Sequence, residues 1–276
     1  MAEHQEGALP GVEGVRIFHQ SWRPQAVRAV VVLAHGASEH SGRYEWTAER
    51  LAERGYATYA LDHRGHGRSE GVRAYIDRMD NAVADLDALV HIAAGDQADV
   101  PVFLLGHSMG GCVALAYAIA HQDKLDGLLL SAPVAVLEAA SLPTRVAGQV
   151  LSVIAPRLGV FDIDSTAVSR DPEVVRAYDA DPLNYHGKLP ARTVAELAST
   201  VARFPEALPR LTLPLLVMHG TADRLVPPAA SDLVNERVGS EDKTYLRYPD
   251  LFHEILNEPE RDQVVGDIAD WLDERT

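Results

Sequence analysis

The chain of 276 residues has a single cysteine, Cys112, so no disulfide can form within it. That cysteine stands one helical turn after Ser108 in an apolar stretch and reads as a small buried core residue, not a reactive thiol. Positive charge is also scarce: 25 Lys and Arg face 40 Asp and Glu, a formal net charge of −15. A surface of that sign repels phosphate backbones, and no basic stripe offsets it, which argues against nucleic acid as a partner. The best apolar stretches, near 30–33 and 113–120, are too short for a membrane helix. The opening MAEHQEGALPGVEG lacks the basic start and apolar core of a secretory signal, so the expectation is a cytoplasmic protein. Zinc-type Cys/His spacing, a phosphate loop and a dinucleotide-binding glycine pattern are missing too, and neither metal nor cofactor is expected.

What is present fits a globular chain: 47% hydrophobic and 24% charged residues. The length suits one large α/β domain, or such a domain with an inserted cap. Residues 1–13 are expected to form a flexible tail. Short β-branched runs at 29–33, 57–61, 102–105, 127–130, 215–218 and 244–248 read as strands. They do not alternate polar with apolar, as expected of strands buried on both faces of a parallel sheet. Helical periods occupy 44–54, 81–94, 108–121, 230–238 and 260–274, so strand and helix alternate in an α/β fold covered on both sides.

One region breaks that rhythm. Residues 137–204 show no strand pattern, carry helical stretches at 144–154 and 192–203, and are punctuated by Pro143, Pro156, Pro172, Pro182 and Pro190. They hold eight acidic and seven basic residues, so the acidity of the chain sits on the rest of it. The expectation is a mainly helical cap inserted between core segments 1–136 and 205–276, with a nearly neutral, partly apolar surface. Extra helices on an α/β domain are the plain alternative.

The run 102–105 leads into Gly106-His107-Ser108-Met109-Gly110-Gly111 and then into an apolar helix. G-x-S-x-G in a strand–turn–helix context lifts a serine hydroxyl out at the carboxyl end of the sheet. It also aims the Met109 N–H, at the positive end of the helix, to where an oxyanion would form. A serine needs a base. Among twelve histidines, His35, His63, His66, His107 and His219 all lie near strand ends and compete with His253. Only His253 follows both the serine and a suitable acid, fitting the chain order Ser, Asp, His of this fold. The acid is Asp223, just past the strand 215–218; Asp250 is a rival, but Pro249-Asp250-Leu251 reads more simply as a turn. His35-Gly36-Ala37 follows the strand at 29–33, and the Ala37 N–H is the expected partner of the Met109 N–H, a simple tight turn being the alternative.

These segments together resemble the monoacylglycerol lipase family, in particular its mycobacterial-type members, within the α/β-hydrolase superfamily. The likeness runs through residues 35–40, Gly42-Arg43-Tyr44, the Leu61-Asp62-His63-Arg64-Gly65-His66-Gly67-Arg68-Ser69 run and residues 106–111. It continues through Ser131-Ala132-Pro133, Ser169-Arg170-Asp171-Pro172, Asp181-Pro182-Leu183, residues 219–224, His253-Glu254 and Asn257-Glu258-Pro259. The resemblance implies an α/β-hydrolase fold with a mobile helical cap forming an acyl tunnel. It implies cleavage of the acyl ester of a monoacylglycerol. The composition of the expected cap adds a separate expectation, that residues 137–160 contact lipid surfaces transiently, neutral lipid being tolerated better than anionic lipid. It carries catalysis onto Ser108, Asp223 and His253, the oxyanion donors onto Ala37 and Met109, and glycerol binding onto Glu39, Arg43 and His107. For Glu39 and Arg43 a local ion pair is the equal alternative. A lysophospholipase, a broad carboxylesterase or an acyltransferase would use the same triad, and a ligand-binding member would turn over slowly. An acid-nucleophile dehalogenase or epoxide hydrolase does not fit Ser108.

Overall fold

The computed structural model describes residues 2–136 and 142–276, the side chains of 142–146 excepted. The strands among the described residues are β1 Glu3–Pro10, β2 Arg16–Arg23, β3 Ala29–Ala34, β4 Tyr56–Leu61, β5 Val102–His107, β6 Gly127–Ser131, β7 Gly159–Phe161, β8 Leu189–Pro190, β9 Leu215–Gly220 and β10 Lys243–Tyr248. The α-helices among the described residues are α1 Glu45–Glu53, α2 Met79–Asp96, α3 Met109–His121, α4 Leu142–Ile154, α5 Pro172–Ala180, α6 Ala191–Val201, α7 Phe204–Ala207, α8 Ala229–Arg237 and α9 Arg261–Asp273.

Eight strands form one sheet in the order β1-β2-β4-β3-β5-β6-β9-β10. β1 and β2 run antiparallel, and the six strands from β4 to β10 run parallel. In β3, β4, β5, β6 and β9 every residue is buried. Two apolar cores lie on opposite faces of the sheet. One gathers Val30, Val32 and Leu104 with Leu86, Leu89, Val113 and Tyr117; the other gathers Val31, Leu33, Phe103 and Leu129 with Leu51, Val264, Ile268 and Trp271. Helices therefore cover both sides, and the buried β-branched runs are the reason the six parallel strands are readable in the sequence.

Residues 3–10, expected as part of a loose tail, instead form the edge strand β1, paired with β2 along its whole length. Only Leu9 of β1 is fully buried, so the strand is held by its ladder and carries no apolar signature. The insertion between β6 and β9 is mostly helical, but it also contains the small antiparallel pair β7–β8, where no strand was expected. Three-residue pairing needs no apolar pattern, and β7 is exposed throughout. The first five residues of the expected cap, 137–141, lie outside the described residues.

Hydrogen bonds seat the insertion on the loops at the carboxyl ends of the strands. Tyr185 N donates to Ser38 O at 2.9 Å and Glu254 N to Val168 O at 2.8 Å. His40 Nε2 pairs with Asp181 Oδ2 at 2.8 Å, and Ile76 N donates to Thr193 Oγ1 at 2.9 Å. Among the described residues no helix is long and apolar enough to cross a membrane.

Candidate active site

β5 ends in a turn so tight that Ser108 adopts φ 53° and ψ −119°, a left-handed conformation costly for a residue with a side chain. The glycines beside it are dictated by contact. A Cβ on Gly106 would lie 2.6 Å from Ala114 Cβ and 2.7 Å from Gly110 O, and one on Gly110 would run into the Ala34 and His35 carbonyls. The start of α3 is thus pressed against the end of β3. A Cβ on Gly36 would stand 3.2 Å from Ser108 Cβ, which brings the turn after β3 to the side of the serine.

Three chain segments meet above this turn. Ser108 Oγ lies 2.8 Å from His253 Nε2, and His253 Nδ1 lies 2.7 Å from Asp223 Oδ2. Because a carboxylate only accepts, Nδ1 carries the proton and donates, leaving Nε2 free to accept from the serine hydroxyl. Asp223 Oδ1 accepts from the N–H groups of Leu225 and Val226 at 2.8 and 3.0 Å, so both carboxylate oxygens are fixed. Burial alone would raise the Asp223 carboxyl, but the charge of His253 and hydrogen bonds from both histidines hold it well below the ordinary carboxylate range. Burial lowers His253, yet the Asp223 charge and hydrogen bond outweigh it, with Glu254 and Glu39 adding to the rise. The result is an imidazole more basic than usual.

Ala37 follows Gly36 in the turn beside the serine, and Met109 is the first residue of α3. Gly36 N donates to Glu39 Oε1 at 2.6 Å, while neither the Ala37 nor the Met109 N–H has an acceptor among the described residues. His35 sets this turn: its Nε2 accepts from His63 N at 2.9 Å, so its Nδ1 donates to Gly36 O at 2.7 Å. Burial, with His63 and His66 close by, drives His35 well below its ordinary range and keeps it neutral. Asp62 ties the neighbouring loops, accepting from Ser41 N, Ser41 Oγ and Arg68 N at 2.8, 2.6 and 2.7 Å.

Glu39 and Arg43 form the ion pair that the sequence left open, Arg43 Nη1 lying 2.7 Å from Glu39 Oε2. Arg43 also reaches Glu254, a partner not anticipated, with Nη1 and Nη2 each 2.6 Å from its carboxylate oxygens. His107 packs 4.7 Å from the His253 ring and donates from Nδ1 to Ser131 O at 3.1 Å; burial pushes it down to about 3. Its Nδ1 edge faces Ser131 on β6. Asp250, with φ 64°, occupies a turn. Cys112 is wholly buried, and burial pushes its thiol up to about 12.

Sequence reasoning missed His219 as a partner of the acid. Its Nε2 lies 3.0 Å from Asp223 Oδ2 and 3.0 Å from Val226 O. Its place four residues before Asp223, at the end of β9, is the one signal that pointed to it.

A parallel sheet with an antiparallel edge, a strained serine between strand and helix, and an aspartate–histidine pair at the same sheet edge define an α/β-hydrolase of the serine type. A sequence-family profile described as "Serine aminopeptidase, S33" matches residues 25–260. A monoacylglycerol lipase of Mycolicibacterium smegmatis is 45% identical over 269 residues, 97% of this chain and 96% of that protein. A human monoglyceride lipase is 36% identical over 273 residues, 97% of this chain and 90% of that protein. The crystal structure of a monoacylglycerol lipase from Paleococcus ferrophilus superposes with a TM-score of 0.83 at 27% identity, covering 100% of both chains. The chain belongs to that profile's family and, within it, to the monoacylglycerol lipases.

Proposed function

We propose that the chain hydrolyses monoacylglycerols to fatty acid and glycerol through an acyl-enzyme on Ser108. One observation carries this reading: the unbroken relay from Asp223 Oδ2 through His253 to Ser108 Oγ, at 2.7 and 2.8 Å. Ser108 Oγ attacks the ester carbonyl as His253 Nε2 takes its proton, and the oxyanion is received by the Ala37 and Met109 N–H groups. His253 then gives that proton to the departing glycerol oxygen. Water enters, loses a proton to Nε2 and attacks the acyl carbonyl, and the proton returns to Ser108 as the fatty acid leaves.

The core comprises residues 1–136 and 205–276, and residues 137–204 act as a cap over the acyl chain. Each acyl methylene removed from water contributes about 0.8 kcal/mol, which favours an apolar lining for that cap. Outward-facing apolar side chains support a second role for it. Val150, Val153, Ile154, Leu158, Val160 and Phe161 are all exposed near the end of α4 and on β7. Such a patch suits transient contact with neutral lipid, where the substrate lies, by a protein that is cytoplasmic and peripheral.

A hydrolysis panel tests the reading: mono-, di- and triacylglycerol and a lysophospholipid, run with the wild-type chain and Ser108→Ala. Preferred cleavage of monoacylglycerol, lost by several orders of magnitude in a folded Ser108→Ala, is the expected result. Equal activity of that variant would overturn the assignment of the serine, and preferred cleavage of lysophospholipid would overturn the substrate. Added glycerol as a competing acceptor separates hydrolysis from acyl transfer.

A further inference from the structure

One guanidinium joins two loops that flank Ser108. On one side, Glu39 Oε1 accepts from Gly36 N at 2.6 Å and from Tyr44 Oη at 2.8 Å, while Glu39 Oε2 accepts from Arg43 at 2.7 Å. Glu39 is therefore the strut of the turn that presents the Ala37 N–H. On the other side, Glu254 adjoins His253 in sequence, takes the full fork of Arg43 at 2.6 and 2.6 Å, and accepts from Asn257 Nδ2 at 3.0 Å. The Arg43 guanidinium also lies 4.8 Å from the ring centroid of Tyr178, on α5 of the insertion. All three charged side chains are at most 10% exposed.

We propose that Arg43 is a positioning residue. Through Glu39 and Glu254 it fixes the turn bearing the Ala37 N–H and the loop bearing His253 at one separation, so that oxyanion donor and base meet the same ester. This assignment rests on the triad reading above, and it gives Glu39 and Arg43 a different part from direct glycerol binding. Three of the five N–H donors of Arg43 are taken by the two carboxylates, which ties the pair to the fold. A planar fork that bridges two carboxylates and stacks on an aromatic face is geometry that lysine does not supply. A buried ionic cluster adds little net stability, so its contribution lies in the arrangement it enforces. Its charge matters as well. His253 is faced by Asp223 from the loop after β9, by neutral His107 from the end of β5, and by Glu254, Glu39 and Arg43. The two carboxylates against one guanidinium leave a net negative charge that favours the imidazolium formed during attack.

Three variants test the assignment: Glu254→Gln, which removes charge at constant shape, Arg43→Lys, which keeps charge but loses the fork, and Arg43→Met. Turnover is read on soluble p-nitrophenyl butyrate and on monoacylglycerol, with kcat, KM and the pH profile of kcat/KM, beside thermal melting. Glu254→Gln and Arg43→Lys are each expected to lower kcat about 10- to 100-fold with KM changed less than about threefold, as small displacements of reacting groups do. The acid limb is expected to move to lower pH in Glu254→Gln and to stay in place in Arg43→Lys. A folded Glu254→Gln with kcat within twofold of wild type and an unmoved limb would overturn the proposal. So would a higher KM for monoacylglycerol at constant kcat in Arg43→Lys, which would mark substrate contact. If Glu254→Gln does not fold, Arg43→Lys and Arg43→Met decide by the same kcat criterion. Labelling of the wild-type serine by a fluorophosphonate, absent in Ser108→Ala, tests the triad separately, so its failure is distinguishable from failure of the clamp.

Discussion

His219 Nε2 lies 3.0 Å from Asp223 Oδ2, the same oxygen that receives the proton of His253 Nδ1. Because Val226 O, also 3.0 Å away, can only accept, Nε2 of His219 must carry its proton, and Nδ1 then accepts from Ser231 Oγ at 2.7 Å. One carboxylate oxygen is thus fixed by two imidazoles of opposite duty, one held still inside the fold and one facing the serine. His219→Leu removes a donor that steadies the acid without touching the serine. Its kcat is expected to fall about tenfold, against about 10⁴-fold for Asp223→Asn, where the wrong histidine tautomer is stabilised. Stability should drop by about 1–3 kcal/mol because buried acceptors lose their partner. Steady-state turnover with urea unfolding of both variants measures the difference, and equal kcat losses would contradict a purely orienting His219.

The sign of the pH dependence follows from His253. Burial opposes its protonation, but the Asp223 charge and hydrogen bond prevail, and its pKa stands above the ordinary 6.5. Attack needs the neutral ring. Activity should therefore rise with pH through an acid limb centred above 6.5 and decline as pH falls below it. Asp223→Asn removes the largest raising influence and is expected to shift that limb downward. Profiles of kcat/KM for both proteins test this, and a wild-type limb well below 6.5 would contradict it.

The serine turn depends on the absence of side chains at two positions. A Cβ on Gly106 would stand 2.7 Å from Gly110 O and 2.8 Å from Gly111 Cα, backbone atoms that cannot step aside without moving α3. Gly106→Ala is expected to cost about 1–3 kcal/mol as overpacking and to lower kcat by about 100-fold or more through displacement of Ser108. Calorimetry and turnover on a soluble ester decide, and wild-type values in both would refute the stated contact.

The parallel strands and the three residues of the relay were legible because each leaves a local trace. Buried strands such as β3 and β5 are continuous apolar runs, and Ser108, Asp223 and His253 each follow a strand in the order the fold requires. β2 left no such trace because its buried residues include Gln20 and Ser21, which satisfy themselves inside the fold: Gln20 donates to Ser41 Oγ at 2.7 Å. Helix α5 was not expected, because Pro172 read as a break; in the fold Pro172 opens the helix and Asp171 caps it, accepting from Glu173 N. The Arg43–Glu254 contact spans 211 residues, and no local pattern reports a pairing made only by the tertiary fold.

The apolar patch on the insertion gives the last prediction. Val153 and Ile154 are 72% and 74% exposed at the end of α4, and Phe161 on β7 is half exposed. Isolated apolar side chains on a surface are ordinary, but several together form a face that water disfavours and lipid accepts. Burying each in an interface contributes about 1.5–3 kcal/mol, so three of them could shift binding by orders of magnitude. The net charge of −15 makes anionic membranes the poorer surface, which predicts preference for neutral vesicles or emulsions. The triple variant Val153→Ser, Ile154→Ser, Phe161→Ser is expected to lose flotation with neutral vesicles and to cleave emulsified monoacylglycerol about tenfold more slowly. Its rate on soluble p-nitrophenyl butyrate should be unchanged, because none of the three side chains belongs to the Ser108–His253–Asp223 relay. Flotation equal to that of the wild-type chain would show that the insertion does not dock on lipid, and a matching loss on the soluble ester would assign the patch to folding of the cap instead.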